Sequence, residues 1–134
     1  MTKDRFIERL ADVRMSASRL TDAVHAQESE MVRDATIQRF EFTFETVWKA
    51  LKLYLEHQGH ECPGPRPALK KAFVEKLIPT EDEADVWLAM LEDRNLTSHA
   101  YDETLARGIY GRIVKDYAPL LAKMDERLHV LKWD

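Results

Sequence analysis

The sequence has one cysteine, Cys62, and only four glycines and five prolines among 134 residues. A lone thiol excludes an intramolecular disulfide framework and suits a reducing compartment. Three of the prolines crowd into Cys62-Pro63-Gly64-Pro65-Arg66-Pro67, so long stretches elsewhere are free to be helical. No apolar run approaches the roughly 18 residues that span a bilayer. Met1-Thr2-Lys3-Asp4-Arg5 leads into an amphipathic segment without the apolar core of a signal peptide. The expected setting is therefore cytoplasmic, with no membrane contact. A phosphate-cradling glycine loop is also missing, which excludes a P-loop enzyme or a nucleotidyltransferase. Positive charge is not in excess either: the formal net charge is −4, which disfavours duplex DNA as a partner but leaves room for a local basic cleft.

What is present is helix-forming material. Hydrophobic residues make up 45% and charged residues 33%, as in a folded chain with a heavily charged surface, and the length suits one domain over residues 1–134. Over residues 3–27 the stripe Phe6, Ile7, Leu10, Val13, Ala17, Leu20, Val24 recurs at three- and four-residue steps. Ser29 is placed to cap a second helix, which runs from about Val32 to His57 and ends at Gly59. Its stripe of Ile37, Phe40, Phe44, Val47, Trp48, Leu51, Tyr54 and Leu55 is the clearest in the chain. After a loop over 58–67, a shorter helix opens at Pro67 or Ala68 and stops at Pro79. Thr80 and Glu83 form a capping-box pattern ahead of a helix reaching about Asn95. A last helix starts near Asp102-Glu103, with Gly108 and Gly111 suggesting close approach of a neighbour and Pro119 a kink. The predicted fold is all-α, an up-and-down four-helix bundle with one short extra helix.

Chemistry concentrates in Arg94-Asn95-Leu96-Thr97-Ser98-His99-Ala100-Tyr101. Arg forks onto phosphate oxygens, and imidazole moves a proton near neutral pH. On an unbroken helix Arg94 and Tyr101 share a face and His99 lies about 140° away. Convergence therefore requires the weak helix formers Asn95, Thr97 and Ser98 to open the backbone, or a second copy of the chain to supply some of the groups. Phe42 falls about 200° from Phe40 and Phe44, off the core face, where an interface explains an aromatic better than solvent does. His57, His60 and Cys62 offer only three soft ligands on a loop, so a surface loop is expected there and no metal or cofactor. Arg66, Lys70, Lys71 and Lys76 make a modest basic helix face.

The segment from Asp93 to Glu103 resembles the signature of the HEPN superfamily, and within it the nucleotidyltransferase substrate-binding proteins that include the HepT toxins. Their pattern of Arg, four residues, His, one residue, Tyr is matched at Arg94, His99 and Tyr101. The block from Ile37 to Glu45, followed by Trp48-Lys49 and Leu51-Lys52, is similar to that family too, as are Ala72-Phe73 and Trp87 to Leu91. The resemblance implies a helical bundle that forms a homodimer or higher even oligomer and pairs with a minimal nucleotidyltransferase encoded nearby. Two roles follow from it: binding nucleotide or RNA for that transferase, or acting as a metal-independent endoribonuclease in a toxin–antitoxin pair. In the second, the resemblance makes Arg94 and His99 the catalytic pair, with His99 as general acid/base and Arg94 as charge stabiliser. It makes Tyr101 the acceptor of an AMP group and places Asn95 beside the site. Arg39 and Glu45, inside the family-like block, become candidates for a groove or interface together with Phe42.

Overall fold

The computed structural model describes the backbone of residues 2–134 and the side chains of residues 3–134. Six α-helices follow one another: α1 Thr2–His25, α2 Glu30–His57, α3 Pro65–Val74, α4 Glu81–Leu96, α5 Glu103–Arg112 and α6 Ala118–His129. A 3₁₀ turn, Thr97–His99, follows α4, and a π turn, Ile113–Tyr117, joins α5 to α6. The described residues include no strand. Since α5, the π turn and α6 form one helical run, the molecule is a bundle of four long helical segments with α3 as the short extra one.

Local chemistry explains most of the boundaries. The Ser29 hydroxyl accepts from the Val32 N–H at 3.1 Å, Thr80 accepts from Glu83 at 3.1 Å, and Asp102 accepts from Leu105 at 3.1 Å. At the end of α2, Gly59 adopts φ +97°, and the Gly59 and His60 amides return to the Glu56 and Leu55 carbonyls. This is a Schellman closure of the helix. The third helix differs from expectation at both ends. It begins at Pro65, where proline is preorganised for a first turn, and stops at Val74. There the Lys76 and Leu77 amides bond the Phe73 and Ala72 carbonyls, a second Schellman closure with Lys76 at φ +63°. Leu77 and Ile78 are buried beyond the helix rather than within it.

Pro119 cannot donate to the helical ladder. Just ahead of it the helix widens, so that the Ala118 amide reaches Ile113. Gly108 and Gly111 do not serve close helix packing: a Cβ at Gly111 would meet nothing within 4 Å, and one at Gly108 would meet only the Arg112 guanidinium, at 3.3 Å.

Helix α2 is the hub, in contact with α1, α3, α4, α5 and α6. Phe40, Phe44, Leu51 and Leu55 on α2 are fully buried against Trp87 and Met90 of α4 and Leu121 and Met124 of α6. Each such side chain contributes roughly 1.5–3 kcal/mol by leaving water. Phe42 is 58% exposed, on the side that the helical spacing assigns to it. Trp48 is half-buried at the edge of the core, and Ile7 is exposed rather than part of the α1 stripe.

Candidate functional site

The end of α4 is held by a carboxylate outside the motif triplet. Asp93 is buried and accepts from Arg112 Nε at 2.6 Å, Arg112 Nη2 at 3.0 Å and the Tyr117 hydroxyl at 2.6 Å. Arg112 ends α5 and Tyr117 ends the π turn, so one carboxylate ties three elements together beside Arg94. Burial, together with the neighbouring Asp93, pushes the Tyr117 phenol well above its usual range. The hydrogen bond to Asp93 likewise raises Arg112. The start of α4 is anchored by Glu83, which accepts from Arg127 Nη2 at 2.9 Å and from the Trp87 indole at 3.2 Å. Burial alone would raise Glu83, but the hydrogen bonds from Arg127 and Trp87 outweigh it and hold the carboxyl below its ordinary range.

Arg94 lies in the last turn of this anchored helix. Its Nε donates to Glu45 Oε1 of α2 at 2.8 Å, and both side chains are about one-third exposed. The second Glu45 oxygen accepts from the Trp48 indole at 3.1 Å and lies 4.0 Å from Lys49 Nζ. Glu45 therefore orients Arg94 through one nitrogen, and the described residues supply no partner for the two terminal nitrogens of the fork.

The α-helix ends past Arg94, where the weak helix formers suggest loosening, but the backbone tightens instead. The Thr97 hydroxyl donates to the Arg94 carbonyl at 2.7 Å, and Thr97–His99 wind as a 3₁₀ turn. Within one chain Arg94 bonds Glu45 and His99 bonds Tyr101, and the two share no hydrogen-bond partner. His99 Nδ1 lies 3.2 Å from the Tyr101 hydroxyl, with the rings edge to face. His99 and Asn95 are exposed, and Tyr101 is 84% exposed.

Tyr101 stands at the mouth of a groove of about 650 Å³ along α2, lined by Met31, Ala35, Ile37, Gln38, Asp34 and Glu41 together with Thr97 and Ala100. Apolar groups and two carboxylates line it, and no Lys or Arg does. A groove of that chemistry suits a protein surface better than a phosphate. Arg39 lies outside it: its Nη1 donates to the Arg19 carbonyl at 2.8 Å, tying α2 to α1, and it lines a second depression with Phe42, Gln38 and Met15. Phe42 lines a neighbouring depression with Met15, Ser16 and Arg9. His57, His60 and Cys62 go three ways: His57 stacks on Trp133, His60 meets Glu75 and Cys62 is buried in the core. Asp93 and Tyr117 were legible as polar groups at core-facing steps, three after Met90 and four after Ile113. Arg112 carried no such signal.

Residues 8–130 match the family described as nucleotidyltransferase substrate binding protein like. A protein of Haemophilus influenzae named probable ribonuclease HepT is 32% identical over 82 residues, 58% of this chain. The match spans about half of that relative, 54% of its length. A crystal structure from Thermus thermophilus is 40% identical and superposes with a TM-score of 0.78, covering 87% of this chain and 98% of that one.

Proposed function

Because the chain belongs to the family of nucleotidyltransferase substrate-binding proteins, we propose that it is the HEPN subunit of a two-component minimal nucleotidyltransferase module. In this reading it engages a phosphate of nucleotide or RNA at Arg94 and pairs with the transferase, in the cytoplasm and without a cofactor. The observation that carries it is the guanidinium of Arg94, oriented through Nε by Glu45 with the rest of its fork open. A planar fork held in this way is prepared for two parallel bonds to phosphate oxygens.

The surroundings support an assembly. Met31, Met15 and Phe42 are 82%, 64% and 58% exposed along α1 and α2, apolar surface that association would cover. A homodimer, or a higher even oligomer, is the form we assign, and the apolar and acidic groove beside Tyr101 is the face offered to the transferase.

Arg94→Gln keeps a donor for Glu45 while removing the charge. Hydrogen bonds to charged groups are worth about 1.5–3 kcal/mol, so affinity for a labelled nucleotide or single-stranded RNA is expected to fall roughly ten- to hundredfold. Fluorescence anisotropy measures this, and unchanged binding of both ligands would rule Arg94 out as the phosphate site.

A second reading, a metal-independent endoribonuclease toxin restrained by the transferase, has two observations in its favour. His99 is exposed, with Nε2 open beside Tyr101, and a matched relative is named as a ribonuclease. Cutting one phosphodiester with both Arg94 and His99 requires the two to meet at it, within one chain or across two copies.

A further inference from the structure

A cleft of about 340 Å³ lies between the first turns of α1 and the second half of α2. Its lining is Arg5, Arg9, Trp48, Lys49, Lys52 and Leu53. Four cations and no carboxylate line this cleft, in a chain whose formal net charge is −4. Their neutralisation elsewhere is weak. Arg9 lies 3.8 Å from Asp12, Lys49 4.0 Å from Glu45 and Lys52 3.6 Å from Glu56, all intrahelical pairs at the long limit of ion pairing. Pairs of this kind are worth little and yield readily to a better anion. Arg5 forms no ion pair among the described residues.

Trp48 decides what kind of anion fits. Its indole N–H is fixed by Glu45, so a half-buried aromatic stands in place among the cations. Cations that follow a backbone, with an aromatic among them to stack a base, are the means by which single strands are held without sequence preference. The same Glu45 carboxylate holds Arg94 through its other oxygen, so Trp48 of the cleft and the motif arginine share one acceptor residue. From Glu45 to Lys52 the helix advances about 10 Å, enough for a strand to continue past Arg94.

We propose that this cleft holds the phosphodiester backbone of single-stranded RNA, with Trp48 stacking a base and the adjoining phosphate lying on Arg94. The proposal rests on the assignment of Arg94 as a phosphate site. It adds a polynucleotide track, which a mononucleotide ligand would not need.

The test titrates a fluorescein-labelled short single-stranded RNA of mixed sequence into the full chain across a salt series. The proteins compared are the parent, Arg94→Gln, the double variant Lys49→Gln/Lys52→Gln, and a quadruple variant that adds Arg5→Gln and Arg9→Gln. All four cations lie on helix surfaces, and a circular dichroism spectrum verifies that the variants remain folded. Each lost phosphate contact reduces the salt slope by about 0.7, so the double variant is expected to lose about 1.4 and the quadruple variant up to about 3. Affinity at low salt should fall more than tenfold in the quadruple variant, and RNA should quench Trp48 fluorescence in the parent. A quadruple variant with parental affinity and slope overturns the track, even if Arg94→Gln binds poorly and the Arg94 assignment stands. The converse pattern, with Arg94→Gln unaffected and the quadruple variant weakened, keeps the track and removes Arg94 from it. Parental RNA binding together with loss of the transferase complex would overturn the proposal and make the cleft a protein-docking surface.

Discussion

Replacing Asp93 with alanine is expected to lower the thermal midpoint by roughly 10 °C, corresponding to a loss of about 3 kcal/mol for a chain of this size. The carboxylate accepts three hydrogen bonds at 2.6–3.0 Å. Without it, the hydroxyl of Tyr117, itself only 2% exposed, is left buried with no acceptor. Arg112 is nearly half exposed and can turn to water, so it adds less to the loss. Asp93→Asn retains one acceptor and is expected to cost markedly less. The network also predicts a pH signature. The Tyr117 phenol is raised by burial and by Asp93, so the folded state keeps a proton that the unfolded chain releases near pH 10. Stability is then fully present below that pH and declines as pH rises above it, and Tyr117→Phe should remove this decline. Differential scanning calorimetry of the parent and the three variants across alkaline pH measures both effects. An Asp93→Ala midpoint within about 1 °C of the parent would show that the network does not hold the end of α4.

The second large effect concerns His99. If the chain cuts RNA, His99→Ala removes the proton-transfer contribution, an expected loss of roughly 10²–10⁴-fold in cleavage rate, and Arg94→Ala is comparably damaging through lost charge stabilisation. That cleavage should persist in EDTA, because both groups are protein side chains. The binding role predicts something different: His99→Ala leaves affinity for RNA within a few-fold of the parent, since the phosphate rests on Arg94 and His99 bonds only Tyr101. Single-turnover cleavage and anisotropy on the same preparations separate the two. Cleavage retained in both variants would place the chemistry elsewhere.

Boundaries set by side-chain chemistry within a few residues were legible, whereas those set by backbone strain or distant packing were not. Ser29, Thr80 and Gly59 announce their helix ends because a hydroxyl cap and a left-handed glycine act within one turn. The end of α3 uses the same Schellman closure as α2, but with Lys76 in the position that glycine normally takes. A lysine there gives no sequence signal, so the helix read through to Pro79. At the site, Arg94, His99, Tyr101 and Glu45 all stood out, and the contact between Arg94 and Glu45 joins residues 49 apart in the chain. Periodicity alone cannot supply such a contact. Nor could it show that the helix gives way to a 3₁₀ turn over Thr97–His99.

In the proposed role the subunit binds for a transferase and is not a toxin silenced by one. Native and intact mass spectrometry of the chain mixed with a minimal nucleotidyltransferase of the kind the proposed module requires, ATP and Mg²⁺, distinguishes the two roles. The expected result is a complex containing both proteins, with this chain at its unmodified mass while the transferase is active on a separate acceptor. Transfer of AMP from ATP to the Tyr101 phenol, with release of pyrophosphate, would instead place a new anion beside His99. A gain of one adenylyl group that disappears in Tyr101→Phe would contradict the binding role and establish the toxin reading.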